Sequence, residues 1–265
     1  MAKYFIYSNE NLYGVEPVGG DRQSQSDNFV AASGVTGESR LTDVSISTGA
    51  SIPQYDAVRF DMGGTITAID AVAVYSNAVT SSDVHFFNSS SDGTNAFGSG
   101  DANFITGSSY ADLSVGWNVK TGLANTQGGS AATARYFYIY SNVATQTAVT
   151  EVIIGNKLNL TNVTLSGSEG VNYGNETLVS EGGNEFSHQK HGAKKFWHFS
   201  LNHVSETYKT SLEAMRDAVD GSHYKFLYYD GSSYNYVRMS TDSLRFKEVA
   251  VGVYNTRIKL TEQLS

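Results

Sequence analysis

The chain has 265 residues, enough for one large or two ordinary domains with a core that needs no covalent staples. It contains no cysteine, which excludes disulfides, thiolate metal sites and a cysteine nucleophile. Its formal charge is −8, and the imbalance sits in residues 1–150, with six Lys/Arg against thirteen Asp/Glu, which argues against broad nucleic-acid binding.

The predicted elements follow from periodicity and turn chemistry. Met1–Ser8 carries one lysine and no apolar run of signal-peptide length, and no stretch is long enough to span a bilayer; a soluble chain without an export address is expected. Tyr4–Tyr7 reads as a short strand. In Tyr55–Gly63, Val58 and Phe60 alternate with Arg59 and Asp61. In Ile69–Ser76, Ile69, Ala71, Ala73 and Tyr75 alternate with Asp70, Val72, Val74 and Ser76, the period of two that gives a strand one buried face. Met62-Gly63-Gly64-Thr65 reads as a tight turn between these strands, because glycine reaches positive φ at little steric cost. Val84–Phe87 and Val115–Val119 are strands within a region, 80–130, rich in Ser, Gly, Asn and Asp. Arg135–Tyr140 alternates again, and Ser141-Asn142 opens what reads as a short loop to Val149–Ile154, making the two antiparallel neighbours.

From Gly155 to Lys195 the sequence is polar and glycine-rich, with brief β-like runs at Leu158–Leu160 and Val163–Leu165, and reads as a junction that extends an arm to a neighbour. Phe196–Leu201 is a strand with Trp197, Phe199 and Leu201 inward. A helix follows: Ser205 is its N-cap, Val204, Tyr208, Leu212, Met215 and Val219 recur every three or four residues, and Asp220-Gly221 stops it. Tyr224–Tyr229 and Tyr234–Met239 flank Asp230-Gly231-Ser232-Ser233 as a hairpin, and Phe246–Tyr254 and Thr256–Thr261 form a second one turning at Asn255.

Arg40-Leu41-Thr42-Asp43, Ser47-Thr48, the strand ending Asp61-Met62-Gly63, the Val72/Val74/Tyr75 strand and the pair 135–140 and 149–154 together resemble the discoidin-like, galactose-binding-like β-sandwich over residues 30–155. Phe196-Trp197-His198-Phe199, Tyr224-Lys225-Phe226 and the ending Gly252–Gln263 resemble the C-terminal domain of tailed-bacteriophage distal and minor tail proteins. The resemblances imply a mainly β chain: an N-terminal strand or arm (1–29), a discoidin-like jelly-roll β-sandwich (30–155), a linker or extended arm (156–195) and a smaller C-terminal α+β domain with one helix (196–265). They also imply a virion structural protein, assembled in the host cytoplasm as a ring near the tail tip. Its partners would be copies of itself, other tail proteins and a host surface glycan, with no nucleic acid and no membrane insertion. A free carbohydrate-binding module is the alternative, and a glycan-processing enzyme the third reading.

Discoidin-like families place a structural Ca²⁺ where Asp43, Thr48 and Glu151 fall, and a hard cation suits such oxygen donors. Val44 departs from the usual glycine after the aspartate, and Asp43 and Thr48 serve equally as turn braces. His188, His191, His198 and His203 crowd one stretch, but no third ligand stands at zinc-site spacing, and an exposed or interfacial cluster is the simpler reading. Lys190, His191, Lys194 and Lys195 form a basic cluster without a phosphate loop. No Gly-x-Ser-x-Gly, phosphate-loop or His-Glu-x-x-His motif is present, so no catalytic residue is named and the chain is expected not to be an enzyme. The Asn-x-Ser/Thr sites at Asn88, Asn159, Asn162 and Asn175 are what an Asn/Ser/Thr-rich chain produces by chance. Tyrosine is abundant around one hairpin, more than a single helix can cover. Tyr234, Tyr236, Val249, Val251 and Val253 are therefore the expected subunit interface.

Overall fold

The computed structural model describes residues 3–8, 18–22, 29–31, 50–53, 56–77, 84–89, 103–106, 113–125, 132–141, 147–160 and 164–263. The chain divides into two compact units, residues 6–157 and residues 1–5 with 158–264, and passes between them inside two of its strands. The expected architecture is the observed one: mainly β, with a sandwich in the first unit and a smaller α+β second unit that holds the one helix among the described residues.

The N-terminal unit contains β1 (Tyr4–Ser8, from Ile6 onward), β2 (Val18–Arg22), β3 (Phe29–Ala31), β4 (Ala50–Ile52), β5 (Asp56–Ile69), β6 (Ala71–Ser76), β7 (Val84–Ser89), β8 (Asn103–Thr106), β9 (Gly116–Thr121), β10 (Ala124–Asn125), β11 (Ala132–Ser141), β12 (Thr147–Val149) and β13 (Glu151–Asn159, up to Lys157). One sheet runs β10-β8-β7-β11-β5-β2-β3, a second contains β1-β13-β6-β9, and β12 pairs β4. Val58, Phe60, Phe137 and Ile139 of the first sheet share one buried cluster with Val72, Val74, Val152 and Ile154 of the second, the packing of a two-layer sandwich. Each such side chain contributes about 1.5–3 kcal/mol on leaving water.

Two local expectations fail here. Met62–Thr65 is not a turn: β5 runs unbroken through it, and the glycines fall where β5 holds extra residues against β11, the register moving from Tyr136↔Asp61 to Ala134↔Ile66. A bulge uses the same glycine freedom as a reversal without ending the strand. Nor are 135–140 and 149–154 neighbours. β11 lies between β5 and β7, whereas β13 pairs β6 in the other sheet, with Val152 opposite Val74. Adjacency in sequence is overridden by a crossover between layers.

The C-terminal unit contains β14 (Thr164–Asn172), β15 (Asn175–Val179), β16 (Glu185–Gln189), β17 (Lys194–Ser205), α1 (Glu206–Ala218), β18 (Phe226–Tyr229), β19 (Tyr234–Met239), β20 (Phe246–Ala250) and β21 (Val253–Glu262). Its sheet runs β14-β17-β21-β19-β18, with β20 also on β21. Trp197, Phe199, Leu201, Ile258 and Leu260 are buried on one side, as alternation requires. Ser205 caps α1 by accepting the Tyr208 N–H at 3.2 Å. Leu212 and Met215 are buried on its inner stripe, and Asp220 (φ 46°) and Gly221 (φ 62°) end it with left-handed backbone. The last hairpin turns at Val251-Gly252, not at Asn255: Gly252 supplies φ 69°, and Asn255 pairs Lys247 inside the ladder.

Candidate functional site

Residues 156–195, expected as a linker or arm, include β14, which is built into the sheet on β17, and the separate hairpin β15–β16. The hairpin's base is held by Lys190 N–H donating to the Gly174 carbonyl at 2.9 Å and by Gly174 N–H donating to Asn172 Oδ1 at 2.8 Å. Its tip closes through Ser180 N–H to Asn184 O at 2.9 Å and Asn184 N–H to Ser180 Oγ at 3.1 Å, with Gly183 at φ 79°. Glu176 bridges Lys190 at 2.8 Å and lies 3.7 Å from His188, a solvated cluster that contributes little to stability.

Between these ends the hairpin is exposed and carries an apolar cross-strand pair among polar neighbours. Leu178 pairs directly with Phe186, and they are 54% and 61% exposed; Val179, Tyr173 and Val171 are also exposed. A two-stranded ribbon is marginal in water and gains independence only by packing against something else. An exposed hairpin with an apolar pair and no other described strand on its edges is a template for association.

The expected interface divides. Tyr236 is 6% exposed and is core, and Tyr228, beside it in the hairpin, is fully buried. The Tyr228 ring lies 5.2 Å from Phe199, 5.5 Å from Trp197 and 5.7 Å from Phe5, edge-on or tilted. The predicted excess of aromatic surface is therefore absent at these two positions, and at Tyr228 the cover comes from β17 and the N-terminal Phe5. Burial pushes the phenols of Tyr228 and Tyr234 well above their ordinary value, and Tyr234 also shares a 2.8 Å hydrogen bond with Tyr4. Val249 is exposed, Val251 is 98% exposed at the turn, and Val253 is half-buried at the start of β21.

Asp43 and Thr48 lie outside the described residues, and Glu151 is buried at the start of β13 opposite Tyr75. His198 is exposed beside the Phe196 ring, and the His191 ring is turned to the Gly192 carbonyl at 2.7 Å. Among the described residues no group of three or more His, Asp or Glu is placed to hold a metal ion. Among the described residues no helix is long and apolar enough to cross a membrane.

In the N-terminal unit, β9 stands at the end of its sheet. Trp117 is half-buried there and meets Tyr75 of β6 edge-on at 5.3 Å. Asn118 braces the approach to β9, accepting from Ser114 N–H at 3.0 Å and donating to the Ser114 carbonyl at 2.8 Å. The sequence marked this stretch only as a strand, because nothing in it says which end of a sheet it occupies.

No protein-family model and no curated protein matches the chain. Among solved structures, chitosan-binding module 1 from a chitosanase/glucanase of Paenibacillus sp. IK-5 is similar at 14% identity and TM-score 0.37, over 56% of this chain and 98% of that one. A Streptococcus pneumoniae fucose-binding module is similar at 10% identity and TM-score 0.36, over 56% of this chain and 95% of that one. CBM32-1 from a family 31 glycoside hydrolase of Clostridium perfringens is similar at 15% identity and TM-score 0.33, over 53% and 94% respectively. At scores this low the likenesses carry no argument about what this chain does.

Proposed function

We propose that the chain is a structural, non-catalytic component of a tailed-phage virion, present as several copies in a ring near the tail tip, whose β15–β16 arm packs on a neighbouring copy. The observation that supports this is the arm itself: the Leu178–Phe186 pair is exposed on a hairpin too small to be stable alone. A head-to-tail contact repeated through a rotation that closes gives a ring. In light scattering and negative-stain microscopy, the wild type is expected to form rings or tube ends. The Leu178→Ser/Phe186→Ser variant is expected to stay folded and run as a monomer. A wild type that is monomeric at tens of micromolar retires the assembly reading. A structural Ca²⁺ at Asp43, Thr48 and Glu151 belongs to the same proposal: a chelator should lower the melting temperature of the wild type but not of Asp43→Ala.

A second reading, a carbohydrate-binding module, is favoured by the half-buried Trp117 stacked edge-on with Tyr75 at a sheet end. It gives the N-terminal sandwich a glycan to contact, free or on a host surface. Trp117→Ala should then abolish binding of neutral glycans on an array, and a wild type that binds no neutral glycan removes this reading.

A further inference from the structure

In the C-terminal unit the side chains that alternate with the buried Trp197, Phe199, Leu201, Ile258 and Leu260 point to the opposite side of the sheet. On β21 these include Asn255, Arg257 and Lys259. Ser200 is the direct partner of Arg257, and Lys247 the direct partner of Asn255. Lys247 and Arg257 are therefore diagonal neighbours, about 7–8 Å apart at the backbone and within common reach of one ligand. Arg245 joins them where Thr256 Oγ1 donates to its carbonyl at 2.8 Å, which ties the entry of β20 to β21.

These residues line an open cleft of about 790 Å³ together with Ser200, Asn202, Thr241, Ser243 and Thr256. Its lining holds Arg245, Lys247 and Arg257 but no carboxylate, and none of these cations forms an ion pair among the described residues. The adjoining cleft differs: Arg216 and Arg238 there share the lining with Asp217, Asp220 and Asp242. Asn255 Oδ1 accepts the His203 N–H at 3.1 Å, which fixes the amide and leaves its Nδ2 hydrogens as donors.

We propose that this cleft binds an acidic oligosaccharide, with Arg245, Lys247 and Arg257 taking its carboxylate or sulfate groups and Ser200, Asn202 and Asn255 its hydroxyls. Guanidinium forks match planar anions, and hydroxyl and amide side chains match the donor–acceptor pairs of a sugar. The lining has no aromatic side chain on which bases could stack, which single-stranded nucleic acid would need. A local basic cleft on a chain of net charge −8 suits a ligand whose charges are spaced by neutral units better than one charged at every unit. The site is separate from the arm and from Trp117, so its failure leaves both earlier readings standing.

The test is calorimetric titration of the full chain with tetragalacturonate, a sulfated tetrasaccharide, neutral cellotetraose and a single-stranded oligonucleotide of matched charge. At least one acidic tetrasaccharide is expected to bind, more weakly as salt rises from roughly 50 to 200 mM, and the two acidic probes tell carboxylate from sulfate. Lys247→Gln and Arg257→Gln, both at exposed positions, should each weaken binding about tenfold with an unchanged melting temperature. Arg257→Lys should keep part of the affinity. No binding of either acidic probe, cellotetraose binding that the Lys247→Gln/Arg257→Gln double variant weakens as much as it weakens acidic-probe binding, undiminished acidic-probe binding by that double variant, or tighter binding of the oligonucleotide would overturn the proposal.

Discussion

Two hairpins of the C-terminal unit, β18–β19 and β15–β16, have nearly the same length and opposite fates. In β18–β19 the Phe226, Leu227, Tyr228, Tyr236 and Val237 side chains are buried, and β19 continues the ladder onto β21. In β15–β16 the burial pattern is exposed almost throughout, and the ribbon pairs with no other described strand. Composition separates them only in degree, with apolar or aromatic side chains at eight of the ten strand residues of β18–β19 against three of ten in β15–β16, and it does not decide which of those side chains is buried. Cover does: Phe5, Trp197 and Phe199 surround Tyr228, while nothing among the described residues shields Phe186 to a comparable degree. An aromatic hairpin is a core or a contact surface according to what the rest of the chain brings to it.

The sharpest way to break this comparison is to put the same charge in both hairpins. Tyr236→Asp buries a carboxylate and opens a cavity beneath Lys225, whose ammonium lies 5.4 Å from the ring, and should cost about 3–5 kcal/mol. Phe186→Asp, in a side chain 61% exposed, should stay within about 0.5 kcal/mol of wild type at concentrations low enough for both to be monomeric. Thermal unfolding followed by circular dichroism reads both. Equal melting of the two variants would mean that Tyr236 is not core.

What the sequence made legible was local. The Trp197/Phe199/Leu201 alternation, the Ser205 cap with its Asp220-Gly221 stop, and the Asp230-Gly231 turn each depend on residues a few positions apart, and each is where it was expected. What was not legible depended on distant partners. Phe5 reaches Tyr228 from the far end of the chain, so surface counted from the final seventy residues alone looked uncovered. Glycine freedom at Gly63-Gly64 serves a bulge or a reversal equally, and only the opposing strand decides. The β15–β16 hairpin lay inside the segment read as a linker or extended arm, where Leu178 and Phe186 are too few to signal a strand pair. The basic cleft joins Arg245, Lys247 and Arg257 across strands, a proximity that no spacing along the chain reveals.

A smaller effect distinguishes the two turns. Asp230 Oδ1 accepts from the Ser232 and Ser233 N–H groups at 2.8 and 2.9 Å, and its Oδ2 accepts from Ser233 Oγ and Asn235 Nδ2. Partial burial pushes its carboxyl up, but the backbone bonds from Ser233 and Ser232, with those from the Ser232 and Asn235 side chains, hold it well below the usual carboxylate range. A folded-state pKa below the unfolded value means the turn's contribution is complete above about pH 4 and drains away as pH falls from there. Asp230→Asn should therefore be less stable than wild type at neutral pH, by about 1–2 kcal/mol, and lose less on acidification. Urea midpoints measured between pH 7 and pH 2 read the difference; parallel curves for the two proteins would show that Asp230 does not brace the buried hairpin.

The smallest global effect belongs to the base of the exposed hairpin. Gly174 has φ 62°, and a Cβ there would come within 2.5 Å of the His191 ring. The ring can swing aside, so the strain that remains for Gly174→Ala is the left-handed backbone, about 1–2 kcal/mol. Because β15–β16 pairs with no other described strand, that strain should open the ribbon without unfolding the unit. The melting temperature should stay unchanged, while hydrogen exchange of the paired amides in residues 175–189 speeds up about five- to thirty-fold. Amides of β18–β19 should keep their wild-type protection. If they lose it in step with the arm, the two hairpins form one cooperative unit, and the contrast in their burial does not carry over into their stability.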